Sequence, residues 1–167
     1  MPDTENTTLQ EVVDIFFRMV EEDRGFFNYF NLSEAEAIDL ATDRATAFLR
    51  EAAARLNLEV SNGINFLDSD LSKGEWNFVL TDVEKYLLAS LSFEVYLSRN
   101  VARLKAFELN FVPTDLNVFS PANDRTSFMN MYESVKQANL SMIDNYKSKD
   151  RTTNDKLSID YASYSEV

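Results

Sequence analysis

Glycine and proline are scarce in this sequence. Its 167 residues include three of each, so the chain offers few positions at which a helix must stop or a tight turn forms easily. Apolar residues make up 45% of the chain and aromatic residues 13%, which is enough to bury a core and too much for a disordered chain. We therefore expect one domain, or one domain with a tail, built from long uninterrupted elements.

Capping boxes and helical spacing predict the first two helices. Thr8 opens a helix over about 9–22 that Gly25 stops, and Ser33 opens a second helix that ends near Leu56. Each capping residue is followed three positions later by Glu, which completes a capping box. The apolar stripe of the second helix is spaced by three and four residues: Ile38, Ala41, Ala45, Phe48 and Ala52.

Two further helices and an extended linker are predicted in the second half. Thr81 caps the longest helix, which runs to about Ala106 and carries apolar residues on more than one side, as is typical of a central helix. Residues 107–123 form an extended linker, and Ser120-Pro121 starts a fourth helix that fades near Lys147. The stripe of the fourth helix is Phe128, Met131, Val135, Ala138 and Met142. For residues 61–73 the sequence pattern is compatible with a short helix or with a turn.

The last twenty residues have a different pattern. The run KSKDRTTNDK is polar, charged and aperiodic, as in a disordered linker. Leu157, Ile159 and Tyr161 then alternate with polar residues, and Tyr164 follows, which is a strand pattern without a partner strand in the chain. This segment is either a loose tail or a strand that adds to another molecule. We divide the chain into a helical domain, 1–147, and an extended tail, 148–167, and expect truncation at Lys147 to leave the bundle folded.

The chain contains neither histidine nor cysteine. This excludes thiolate nucleophiles, zinc fingers, iron–sulfur sites, imidazole bases and Glu-x-x-His di-iron sites. The remaining carboxylates, Lys, Tyr and Ser show no catalytic arrangement, so we expect a protein that is not an enzyme, with no catalytic residue and no cofactor.

One acidic stretch resembles the start of a calcium loop. Asp68, Asp70 and Ser72 fill the first three oxygen positions, but Lys73 replaces the required Gly and Val79 replaces the bidentate Glu. A solvated acidic turn is therefore favoured, and no metal site is predicted.

The net charge of −12 opposes binding to phosphates and to anionic membranes. No apolar run approaches the roughly 20 residues that span a bilayer, and residues 1–10 lack the features of a signal peptide. Arg99 and Arg103 lie one helical turn apart and either face an acidic partner or solubilise the helix end. The aromatic run Phe26–Phe30 is either a core plug or an exposed contact, and the core interpretation is favoured.

The chain resembles a family of phage proteins over the third helix, the linker and the fourth helix. The run YLLASLSFEVYLSRNVARLKAFELNFVPTDLNVFSPANDRTSFMNMYESVKQANLSMIDNY is similar to head-to-tail connector (adaptor) proteins of tailed bacteriophages, and residues 33–167 follow their plan. The resemblance implies a ring, commonly of twelve copies, beneath the portal protein and above a tail or stopper protein. It also implies a virion protein, assembled in the host cytoplasm, that joins capsid to tail and lets DNA pass without specific binding.

These inferences combine into one hypothesis. The chain is an all-α bundle of about four main helices, with a long central helix, an extended inter-helix linker and an extended C-terminal tail, and it acts as a structural subunit of the junction. The alternative is an intracellular helical regulatory or scaffolding protein that binds a partner protein. The predicted partner-binding residues lie in the tail and the linker: Leu157, Ile159, Tyr161, Tyr164, Leu116, Val118 and Phe119.

Overall fold

A computed structural model describes residues 6–21, 24–27, 29, 31–60, 63–110 and 122–157. Within these ranges the main helices are α1 (Leu9–Val20), α3 (Glu34–Glu59), α4 (Asp82–Asn110) and α5 (Ala122–Lys147). A one-turn helix, α2 (Arg24–Phe27), and a two-stranded hairpin, β1 (Ser69–Asp70) with β2 (Glu75–Trp76), complete the described elements. The predicted all-α bundle with four main helices is confirmed.

The helices begin where the capping boxes predict. At α1 the Thr8 hydroxyl accepts from the Glu11 N–H (3.3 Å), and the Glu11 carboxylate accepts from the Thr8 N–H (3.1 Å). Ser33 and Glu36 make the same reciprocal pair before α3. Each box satisfies two backbone donors that the helix itself leaves unpaired.

The helix ends differ from the prediction. Helix α1 ends at Val20, and Gly25 lies inside α2, so Gly25 is not the residue that stops α1. Helix α3 runs to Glu59 and α4 runs to Asn110, each a few residues beyond the expected end. Neither extension contains Gly or Pro, so local chemistry does not force the helix to stop there.

A β-hairpin occupies the stretch that the sequence leaves as a helix or turn. Ser69 pairs with Trp76 and Asp70 with Glu75 in antiparallel register, and Gly74 closes the turn with a φ of +68°, which favours glycine. The segment before α1 joins this hairpin, because the Trp76 N–H donates to the Thr7 carbonyl (2.9 Å). The hairpin therefore anchors the start of α1.

Helix α4 is the centre of the bundle and packs against α1, α3 and α5. At 29 residues it is about 43 Å long, which confirms the predicted long central helix. Rings from three helices and the α2 turn meet in one aromatic cluster, in which Phe26 lies 5.4 Å from both Phe16 and Tyr96 between ring centroids. Phe26 is fully buried, so the core interpretation of the aromatic run is confirmed at that residue; Asn28 and Phe30 lie outside the described residues.

The predicted stripe of α5 is confirmed at Phe128, Val135 and Met142 and is wrong at Met131 and Ala138, each of which lies one position before a residue of the packed face. Ala138 and Met131 are exposed, whereas Asn139 and Ile143 are the fully buried side chains between residues 126 and 147. The face that packs on α4 contains Phe128, Tyr132, Val135, Asn139, Met142, Ile143 and Tyr146. The sequence misplaces this face because a polar residue, Asn139, occupies its centre.

The stripes of α3 and α4 also begin later than predicted. Ile38 and Val83 are 52% and 54% exposed, although helical spacing places both on the apolar side. Each lies in the first two turns of its helix. Ala41 and Leu87, one turn farther along, are buried, so the covering by neighbouring helices begins there.

Candidate functional site

The ten residues after α5 form a closed loop, which we call the root loop (residues 148–157). Its two ends meet where the Leu157 N–H donates to the Ser148 carbonyl (2.9 Å), and its interior is closed where the Asp150 N–H donates to the Asp155 carbonyl (2.8 Å). The loop therefore returns the chain to the end of α5.

The Asp150 side chain holds the turn of the root loop. Its carboxylate accepts from the N–H groups of Thr152 and Thr153, each at 2.9 Å, and these backbone hydrogen bonds, that of Thr153 first, lower the pKa of Asp150. The expectation of an unstructured linker at residues 147–156 is wrong, because side-chain capping of this kind needs no apolar periodicity. The division into domains at 147/148 stays a prediction.

Arg151 projects from the root loop onto the first turn of α4 and pairs with Glu84. The guanidinium donates from Nε to Glu84 Oε1 (2.6 Å) and from Nη2 to Glu84 Oε2 (2.9 Å). Nη2 also donates to the Val79 carbonyl (2.6 Å). This bidentate arrangement is the strongest form of an arginine–carboxylate pair.

Two more donors complete the set of hydrogen bonds that the Glu84 carboxylate accepts. The Tyr146 hydroxyl at the end of α5 donates to Oε1 (2.5 Å), and the Thr81 N–H donates to Oε2 (2.7 Å). The Glu84 side chain is fully buried, so its charge is compensated by these four contacts and by little solvent. We call this group of Glu84, Arg151, Tyr146 and Thr81 the Glu84 clamp; it joins the root loop to α4 and α5.

Burial and hydrogen bonding act in opposite directions on Glu84. Burial raises the pKa of the carboxyl group, but the hydrogen bonds from Arg151, Tyr146 and Thr81 outweigh it, and the pKa is lowered overall. Glu84 is therefore ionised at neutral pH, and with every strong acceptor position filled it holds the structure together instead of transferring protons.

The sequence reveals only part of this clamp. The sequence predicts that Thr81 caps α4, and the structure confirms its capping box with Glu84. Because capping alone explains a carboxylate at this position, the sequence gives no reason to expect further partners of Glu84. Nothing in the local pattern indicates Arg151, which is 67 positions away in a polar run, or Tyr146. A fully buried glutamate is recognised only when its neighbours in space are known.

A second buried polar network joins three helices near the middle of α4. Arg55 on α3 pairs with Glu94 (2.7 Å), and the Asn139 amide on α5 donates to the other Glu94 oxygen (2.8 Å). The Ser90 hydroxyl donates to the Asn139 side-chain carbonyl (2.6 Å). Sequence reasoning missed this network too, since the residues belong to three separate helices.

The structure describes one of the seven predicted partner-binding residues. Leu157, the last residue of the root loop, is 57% exposed, which is compatible with a contact role. The remaining predicted residues, in the linker and in the tail, lie outside the described residues: Leu116, Val118, Phe119, Ile159, Tyr161 and Tyr164.

The acidic stretch that resembles a calcium loop forms the hairpin turn. The Asp70 carboxylate accepts from the Ser72 hydroxyl (2.6 Å) and the Ser72 N–H (3.0 Å), and these hydrogen bonds, that of the hydroxyl first, lower the pKa of Asp70. Asp68 accepts from the Asn77 side chain instead. Within the described ranges, no three acidic side chains come together in a way that could hold a metal ion.

No helix in the described part of the chain combines the length and the hydropathy that a membrane-spanning helix requires. Comparison of the chain with protein families, with curated proteins and with solved structures finds no match.

Proposed function

We propose that this chain is a structural subunit of a phage head-to-tail junction, which forms a ring under the portal, joins capsid to tail and lets DNA pass. Its partners are further copies of itself, the portal protein and a tail or stopper protein. Twelve copies are expected from the resemblance to connector proteins.

The Glu84 clamp is the observation that supports this proposal. It fixes the root loop to the central helix through a bidentate pair whose glutamate is fully buried, so Leu157 lies at a defined point on the bundle. A segment in which Ile159 and Tyr161 continue the alternation from Leu157 and Tyr164 follows suits docking onto a neighbouring protein by strand addition when it starts from a fixed root. Rigid presentation also lowers the entropy lost on docking.

The charge of the chain agrees with a channel through which DNA passes. A ring of subunits that each carry −12 repels phosphate at channel distances, whereas a DNA-binding surface concentrates positive charge. DNA would therefore move past the subunits without being held.

The first experiment is the mass of the native particle, measured by light scattering on the purified chain with and without its portal protein. A ring-sized species, alone or with the portal, supports the proposal. A strict monomer that ignores the portal contradicts it.

The tail is tested by two truncations that differ in whether they remove the clamp. Truncation after Leu157 keeps Arg151, so we expect a folded chain that no longer assembles. Truncation after Lys147 removes Arg151 and leaves Glu84 buried without its partner, so we now expect it to destabilise the bundle as well. Thermal unfolding of both chains separates the two effects, and assembly that survives the Leu157 truncation contradicts the role of the tail.

One observation favours the regulatory or scaffolding alternative. Between α4, α5 and the root loop lies an open groove of about 620 Å³ in which Val83 and Tyr86 are exposed. Such a groove suits the docking of one partner segment on a monomer. This alternative predicts a monomer or dimer that binds one defined partner and shows no ring with the portal.

A further inference from the structure

A second groove lies between α3 and α4 and collects positive charge. The two helices run antiparallel there, and the groove of about 100 Å³ has no acidic residue in its lining. Its lining residues are Arg44, Ala47, Phe48, Tyr96, Arg99, Asn100 and Arg103. Three guanidinium groups line this groove and one of them, Arg99, pairs with Glu51 at its edge, which leaves a local excess of positive charge in a chain of net charge −12. We call this the arginine groove.

Aromatic rings hold two of the three guanidinium groups in place. Arg44 lies over the Phe26 ring at 4.8 Å from its centroid and donates to the Tyr29 hydroxyl (2.5 Å). Arg99 lies over the Phe48 ring at 4.7 Å and pairs with Glu51 at the groove edge. Stacked guanidinium groups lose little further freedom when a ligand binds.

Arg103 is the least engaged of the three. It lies one turn beyond Arg99 on the same face of α4, it is exposed, and it makes no hydrogen bond or ion pair with the other described residues. Its charge is therefore available to a ligand. Guanidinium groups bind carboxylates and phosphates through paired hydrogen bonds, and an aromatic ring stacks on a guanidinium face.

We propose that the arginine groove receives a carboxylate side chain from residues 158–167 of a second copy of this chain. The segment SIDYASYSEV carries two carboxylates, Asp160 and Glu166, and two phenol rings, Tyr161 and Tyr164, with no basic residue. Its chemistry complements a groove of guanidinium groups with an aromatic floor. This inference rests on the proposed ring and names the surface that receives the tail.

Chain length favours a second copy over the segment's own groove. Leu157 lies beside Glu59, since both line one pocket, and Phe48 lies eleven positions earlier on α3, about 17 Å along the helix. The four residues from Leu157 to Tyr161 span at most about 14 Å. Asp160 and Tyr161 therefore fall short of Phe48 in their own groove, whereas a neighbouring copy can present either end of the segment.

Peptide binding to the full-length chain tests the groove directly. The receptor carries Asp160→Asn, Tyr161→Ser, Tyr164→Ser and Glu166→Gln so that its own segment does not compete, and the probe is a labelled, C-terminally amidated peptide of residues 158–167. We expect saturable binding by fluorescence anisotropy. Raising the salt from about 0.1 M to about 1 M shortens the Debye length from about 10 Å to about 3 Å and should weaken it. Absence of saturable binding overturns the proposal.

Variants of the receptor locate the site. Arg103→Glu should weaken binding about tenfold, because a charge-assisted hydrogen bond is lost and a repulsion is added. Lys105→Glu makes the same charge change two residues away on another side of α4, so it should weaken binding less than about twofold, by general attraction alone. Equal losses in both variants contradict a specific groove. A loss caused only by Tyr86→Ser would assign the segment to the α4/α5 groove and overturn the proposal.

A variant of the peptide keeps the test independent of receptor folding. A peptide with Asp160→Asn and Glu166→Gln should bind the receptor that keeps Arg103 and Lys105 about tenfold more weakly than the parent peptide does. If it binds as well as the parent peptide, carboxylate recognition is wrong. The chain without any substitution is the last comparison. If it is monomeric and does not bind added peptide, whereas the receptor does bind it, the segment occupies the groove of its own chain and binding by a second copy is excluded.

Assembly separates this inference from the proposed function. If Arg103→Glu abolishes the ring and Lys105→Glu does not, both are supported. If the ring survives Arg103→Glu unchanged, the proposed function stands and the groove assignment fails. If peptide binding depends on Arg103 but no ring forms with the portal, the groove assignment stands and the connector function fails.

Discussion

The two sides of α4 are held by different kinds of interaction. Toward α1 and α3 the contacts are mainly apolar and aromatic, with Phe16, Phe48 and Tyr96 in one cluster, and the Arg55–Glu94 pair is the buried polar exception. Toward α5 and the root loop, the centre of the contact is polar, at Asn139 and at the Glu84 clamp. An apolar face tolerates changes of shape, whereas a buried polar contact depends on each partner. The two sides should therefore respond differently to substitution.

Removing Arg151 should have the largest effect. Arg151→Met leaves the Glu84 charge buried with Tyr146 and Thr81 alone; breaking a fully buried pair costs about 3–5 kcal/mol of unfolding free energy, and because the Arg151 side chain is 32% exposed we expect the lower end of that range. Urea unfolding measures this loss. Lys149→Met, in the same root loop, should change stability by less than about 0.5 kcal/mol.

A double variant shows whether the cost comes from the stranded charge. Arg151→Met with Glu84→Gln removes both charges and should recover much of the lost stability. If the double variant is as unstable as the sum of the singles, the two residues do not interact and the clamp is wrong.

Replacing Asn139 tests the other polar contact. Asn139→Leu keeps the branched shape but removes the partner of Glu94 and Ser90, and each buried group left unpaired costs about 1–3 kcal/mol. We expect a loss of roughly 2–3 kcal/mol in urea unfolding, and faster amide exchange in α5 than in α1. Asn130→Leu, at an exposed position of α5, is the matched control and should be nearly neutral. A neutral Asn139→Leu would show that α5 is held by apolar contacts like the other side.

The same contrast decides what the sequence can predict. Capping residues act within one turn of chain, so Thr8, Ser33 and Thr81 mark three helix starts without any knowledge of tertiary structure. The contacts of α4 with α1 and α3 follow apolar spacing and are largely predictable. The α5 face is misplaced because Asn139 is at its centre, and Arg151 is read as part of a linker because its partner is 67 positions away. Buried polar contacts leave no periodic signal, so the clamp could not be predicted, and nor could the arginine groove, whose members come from two helices.

The pH dependence of stability tests the clamp without truncating it. The pKa of Glu84 is lowered in the folded chain, so the clamp contributes stability above the pKa of the unfolded state and loses it as the pH falls through the folded pKa. The unfolding free energy should therefore decline between neutral pH and about pH 3, and less steeply in the Arg151→Met, Glu84→Gln double variant. Glu11, whose pKa is lowered first of all by its hydrogen bond with Lys85, titrates in both chains and cancels in the comparison. Parallel pH profiles for the two chains would contradict a paired, ionised Glu84.

The smallest effect is expected in the apolar core to which α4 contributes. Leu91 is fully buried, and Leu91→Met keeps nearly the same volume and adds no polar group, so it should cost less than about 1.5 kcal/mol. Leu91→Asn, with the shape of Leu but a polar amide, should cost several times more, because the apolar surroundings supply no partner. Leu91→Asn places a polar side chain at an apolar position, and Asn139→Leu places an apolar side chain at a polar position, so the two substitutions test the contrast from both directions. If both Leu91 substitutions are equally mild, the apolar side is not closely packed, and the contrast between the two sides of α4 rests on the Glu84 clamp alone.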